Sequence, residues 1–120
     1  MSRLEITVLE TSKELTKRER VQLKDTGSMT QLRELVCQKV APAAWARIAV
    51  HNERARGDQD YEQLVIWGKD GVQYVTGSGT FAQKFLDIAE EMEGEEFEIA
   101  VNEQASRNYP GKTFLTCSLI

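Results

Sequence analysis

A chain of 120 residues has room for one domain but not for a second independent core, since domains typically run from about 50 to 250 residues. Its 41% apolar and 28% charged content is that of an ordinary globular fold, which argues against disorder, and its apolar runs fall far short of the roughly 20 residues needed to cross a bilayer. The formal charge of −4 is not the basic excess of strong nucleic-acid binders, but it is unevenly spread, with 8 Lys/Arg against 6 Asp/Glu in residues 1–44 and 7 against 13 in residues 45–120.

In chain order, Leu4-Glu5-Ile6-Thr7-Val8 alternates apolar and polar, which predicts a half-buried strand. Arg20–Lys24 alternates as well and is expected to pair with it. Ser28, followed three residues later by Gln31, resembles a capping box. Met29, Leu32, Leu35, Val36 and Val40 then follow at spacings of three and four, predicting an amphipathic helix that Pro42 ends. From Trp45 onward the expected elements are a strand over Trp45–Asn52, a polar loop over Glu53–Asp60 and a strand over Tyr61–Trp67. Gly68-Lys69-Asp70-Gly71 is a tight-turn signal, and Val72–Thr76 is the returning strand. Thr76-Gly77-Ser78-Gly79-Thr80 offers N-cap side chains to a helix over Thr80–Met92, with Phe81, Phe85, Ile88, Ala89 and Met92 on one apolar face. Gly94 stops it. Phe97–Val101 is a fourth strand, Asn108-Tyr109-Pro110-Gly111 a turn and Thr113–Ile120 a fifth strand.

These elements predict an α+β fold. Residues 45–120 form an OB-like five-stranded antiparallel barrel or sheet with one helix between its third and fourth strands, and residues 1–44 add a strand pair and a helix to the same domain. The segments Tyr74-Val75-Thr76-Gly77-Ser78, Phe81 with Phe85, and Ser106-Arg107-Asn108-Tyr109-Pro110-Gly111-Lys112-Thr113-Phe114-Leu115-Thr116-Cys117-Ser118 resemble small uncharacterised proteins of phages and mobile elements in Gram-positive bacteria, over residues 48–120. The element order is similar to that of OB-fold single-stranded-DNA-binding proteins of phages. The chain departs from them at its end, which is the apolar Ser118-Leu119-Ile120 rather than an acidic tail.

Aromatic and basic residues interleave on the expected strands, where Trp45 accompanies Arg47 and Trp67 accompanies Lys69 with Tyr74 near by; Arg107, Tyr109 and Lys112 do the same around the last turn. Single-strand binders use this pairing, because bases stack on rings while cations follow the phosphates. The expected function is therefore sequence-tolerant single-stranded DNA binding in phage or mobile-element replication or recombination, with Trp67, Tyr74 and Tyr109 stacking and Arg47, Lys69, Arg107 and Lys112 on phosphates. Packing within the core is the competing role for Trp45, Trp67 and Tyr74.

The alternative rests on Glu90, Glu91, Glu93, Glu95, Glu96 and Glu98, which crowd six carboxylates into nine residues. Such a run is a solvated helix end, or it imitates a phosphate backbone. In the second case the chain is a protein-binding inhibitor or accessory factor of the anti-restriction or anti-CRISPR type, with a host or phage protein as partner.

Other chemistry finds less support in the residues. Thr76–Thr80 lacks the lysine of a phosphate-binding loop and reads as a capped turn. His51 has no nucleophile motif around it, and the acidic run lacks the spacing of a calcium loop, so neither catalysis, a cofactor nor a metal is expected. Cys37 and Cys117 sit among apolar residues and are expected to be buried free thiols. The charged N-terminus is unlike an export signal, so a cytoplasmic location away from membranes is expected, and an unpaired edge strand would support a homo-oligomer.

Overall fold

The computed structural model describes residues 4–52 and 60–120, so most of the expected Glu53–Asp60 loop lies outside the described residues. The elements are β1 (Leu4–Thr11), α1 (Lys17–Gln22), a 3-10 turn (Leu23–Ser28), β2 (Thr30–Gln31), a second 3-10 turn (Leu32–Leu35), β3 (Lys39–Val40), β4 (Pro42–Asn52), β5 (Asp60–Gly68), β6 (Gln73–Thr76), α2 (Gly79–Glu91), β7 (Ile99–Ala105) and β8 (Thr113–Leu119).

The fold is α+β. A mixed five-stranded sheet runs β1-β4-β5-β6-β2, with β2 parallel to β6 and the other pairs antiparallel, and a three-stranded sheet runs β3-β7-β8. The expected barrel does not close. In residues 45–120 the first three strands stay in one sheet and the last two in the other, and the outer edge of β4 is taken by β1, from Leu4 opposite Asn52 to Thr11 opposite Ala46. That edge is therefore not open to β7 or β8.

Alternation along β4 and β5 divides the core between the two faces of the larger sheet. On one face Ala46, Ile48, Val50, Val65 and Val75 pack with Leu15, Leu23 and Met29 from the α1 region. On the other, Leu64, Ile66 and Tyr74 meet Phe81, Phe85 and Ala89 of α2 and Ile99, Val101, Leu115 and Cys117 of the smaller sheet. Phe85 is the hub of this second core, with ring centroids 6.2 Å from Trp45, 6.4 Å from Phe81 and 6.1 Å from Phe97. α2 starts where the Ser78 hydroxyl accepts the Phe81 amide at 3.2 Å, and it stops before Gly94, whose φ of 85° suits glycine.

Two expectations in residues 1–44 are corrected. Arg20–Lys24 is not a strand, because Thr16 and Glu19 form a reciprocal capping box that starts α1 at Lys17. Residues 29–40 are not a helix either. Met29 is needed in one core and Leu32 and Val40 in the other, so the segment crosses the sheet edge in short pieces and a single helical stripe does not serve both faces. Ser28 bonds Asp25 and caps nothing. Cys37, expected to be buried, is exposed in the turn before β3 at φ 73°, whereas Cys117 is buried. Among the described residues no helix is long and apolar enough to cross a membrane.

An acidic groove between the sheet and helix α2

α2 carries more apolar surface than its core contact uses. Phe81, Phe85 and Ala89 are buried, and beside them Ala82 and Leu86 stay half-buried along one side of the helix. On this side of α2 lies a groove of about 1330 Å³, lined by Ala82, Leu86 and Ala89 of the helix, by Ala44, Trp45 and Leu64 of the larger sheet, and by Phe97. Trp45 is half-buried on the groove floor, its ring edge-on to Phe85.

The rim is acidic. Asp87 and Glu90 on α2, Glu93, Glu95 and Glu96 in the turn after it, and Glu10 and Glu62 on the sheet line the groove, against Arg47 and Lys69. Both cations are already engaged. Arg47 spans three strands, its guanidinium 2.9 Å from Glu10 and 2.7 Å from Glu62, and Lys69 lies 3.0 Å from Glu96. The Arg47 Nε is buried and has no hydrogen-bond partner among the described residues. Among the described residues Asp87, Glu90, Glu93 and Glu95 have no cation beside them, and the single charge of Arg47 is shared by two carboxylates.

The candidate DNA contacts do not assemble into one surface. Arg47 and Lys69 lie in the acidic groove. Trp67 is on the opposite face of the sheet, half-buried, and its indole N–H donates to Gln22 at 3.1 Å. Tyr74 is 7% exposed and its hydroxyl donates to the Asp70 carboxylate at 2.7 Å, so it has no face to offer a base. Burial first, and then this bond, pushes the Tyr74 phenol up to about 12, while the hydrogen bonds from Tyr74 and the Val72 amide hold Asp70 below the usual carboxylate range. Arg107, Tyr109 and Lys112 are the ones that stay together, exposed at the tip of the β7–β8 hairpin, where Tyr109 is 65% exposed.

The acidic run is partly gathered. Glu90, Glu93, Glu95 and Glu96 line the groove, and Glu91 and Glu98 are exposed outside its lining. Sequence reasoning missed Leu86, Asp87, Glu10 and Glu62. For the first two a signal was present, since apolar residues 81, 82, 85, 86, 88 and 89 cover a wider arc than one core stripe needs. Glu10 and Glu62 reach the groove only through strand pairing across β4, which no local pattern encodes.

The Thr76–Thr80 segment is a capped turn, with the Thr76 hydroxyl accepting the Ser78 amide at 3.1 Å. His51, at the end of β4, sits 2.6 Å from Asp60. Burial pushes the Cys117 thiol up to about 11, which keeps it protonated at neutral pH. Among the described residues, no three His, Cys, Asp or Glu side chains are disposed to hold a metal ion. Comparison with known families, curated proteins and solved structures finds no match to this chain.

Proposed function

We propose that this protein is a protein-binding module whose groove receives a basic, partly apolar segment of a partner. The carrying observation is the pairing of half-buried apolar surface, Trp45 on the floor with Ala82 and Leu86 on the α2 wall, with a rim whose two cations are already neutralised. Apolar contact supplies most of the affinity of such grooves, and the charge around them selects the partner and speeds encounter. A segment that suits an acidic rim also suits a phosphate backbone. Occupying it makes this chain an inhibitor or accessory factor of a nucleic-acid-binding protein, with Glu90, Glu93, Glu95 and Glu96 standing where phosphates would.

Single-stranded DNA binding keeps support at one place, the hairpin tip with Arg107, Tyr109 and Lys112 exposed. One ring and two cations make a small platform, since single-strand sites stack successive bases along a charged groove. Fluorescence anisotropy compares the two readings directly, using a labelled amphipathic Leu/Lys peptide and a labelled oligothymidine at low and high salt. The peptide is expected to bind and to weaken with salt, with no response from the oligothymidine. Binding of the oligothymidine alone would overturn the groove reading in favour of the DNA one.

A further inference from the structure

The groove restricts what form an occupant takes. Its floor is the side-chain face of β4 and β5, whose backbones are already paired with each other and, for β4, with β1. An extended segment lying there would find no strand edge to satisfy its own N–H and C=O groups, whereas a helix brings those bonds with it. The acidic positions Asp87, Glu90 and Glu93 recur every three residues, which suits cations repeated at helical spacing on the occupant.

Such a helix exists in this chain. α1 buries none of its own residues. It is held by its capping box, by Leu15 and Leu23 on either side in the core, and by the bond from Trp67 to Gln22. What α1 and the start of the 3-10 turn after it present outward is Lys17, Arg20, Val21 and Lys24, all exposed, with Val21 67% exposed among the three cations. None of these cations forms an ion pair among the described residues, in contrast to Arg47 and Lys69 in the groove. α1 and the groove lie on opposite faces of the larger sheet, in a molecule measuring 42 × 38 × 21 Å.

We infer that the groove takes α1 of a second copy of this chain, Val21 seating on Leu86 and Trp45 while Lys17, Arg20 and Lys24 meet Asp87, Glu90 and Glu93. This inference rests on the groove being a docking site and names its occupant. Because donor and acceptor surfaces are on opposite faces of the sheet, the contact is head-to-tail, and copies stack face on face rather than closing into a two-fold dimer.

Sedimentation velocity of the full chain over a range of concentrations tests this. At low salt the distribution is expected to grow past the dimer with concentration, and to return to monomer at high salt. The triple variant Lys17→Glu, Arg20→Glu, Lys24→Glu and the double variant Glu90→Lys, Glu93→Lys are each expected to remain monomeric with an unchanged circular dichroism spectrum. Mixing the two is expected to restore association, because the reversed charges are complementary, and this arm does not depend on loss of a signal. A monomer at every concentration, a dimer that does not grow, or association that survives either set of reversals would overturn the inference. Binding of the Leu/Lys peptide by a chain that stays monomeric would leave the groove reading standing without it. Failure of both would remove the groove reading too.

Discussion

Tyr74 shows how one residue's surroundings decide its role. Aromatic and close to Lys69 in the sequence, it reads as a stacking ring, yet its position on β6 opposite Ile66 turns it into the core beneath the Gly68–Gly71 turn, with its hydroxyl on Asp70. Gly68 is required there, because a Cβ at that position would lie 2.9 Å from the Tyr74 ring. The phenol is raised from 10.0 to about 12, so the neutral form is favoured in the fold. Its contribution to stability is full below pH 10 and is lost as pH rises towards 12. Asp70 is shifted the other way, so its contribution is present above the ordinary carboxylate range and is lost on acidification. Tyr74→Phe is expected to cost about 1.5 kcal/mol in urea unfolding at neutral pH, and to remove most of the stability change between pH 10 and 12. At Cys37 the positive φ strains any residue with a side chain, and the thiol is exposed. Cys37→Gly is therefore expected to be stabilising by up to about 1 kcal/mol. A thiol reagent is expected to modify Cys37 in the native protein and to reach Cys117 only on unfolding.

At the scale of elements, legibility followed the range of the determining interaction. β4, β5, β6, α2 and β8 are readable because a period of two or of three to four, bounded by glycine or a cap, persists long enough to be unambiguous. Residues 17–40 are not, for two reasons. Arg20–Lys24 alternates over five residues, which fits a short strand and a short helix equally, and the deciding signal was the capping box at Thr16 and Glu19. Met29 to Val40 has helical spacing, but its apolar residues are claimed by two cores on opposite sides of one sheet, and that demand exists only after the sheet has formed. Because α1 buries nothing of its own, its cap carries an unusual share of its stability. Thr16→Ala is expected to cost about 1 kcal/mol and to raise hydrogen exchange within Lys17–Gln22 ahead of the rest of the chain. Phe85→Ala, by contrast, removes the ring that Trp45, Phe81 and Phe97 all touch, and is expected to cost about 3–5 kcal/mol with loss of α2 and the groove wall.

For the whole molecule, the arrangement of charge matters more than its sum. The sequence shows the acidic run at residues 90–98 and the relative basicity of residues 1–44. It does not show that four of the six carboxylates of the first line an apolar groove, nor that the basic part of the second is presented on the far side of the same sheet. The two tryptophans report on these two faces separately, Trp45 on the groove floor and Trp67 beneath α1. In a Trp67→Phe variant the emission comes from Trp45 alone. The most direct test of the groove as a docking site is to titrate that variant with the unlabelled Leu/Lys peptide, with and without Glu90→Lys and Glu93→Lys. The groove account predicts a saturable change in Trp45 emission that weakens with salt and is lost when the two charges are reversed. Peptide binding that leaves Trp45 unperturbed, or that persists through the reversal, would contradict it.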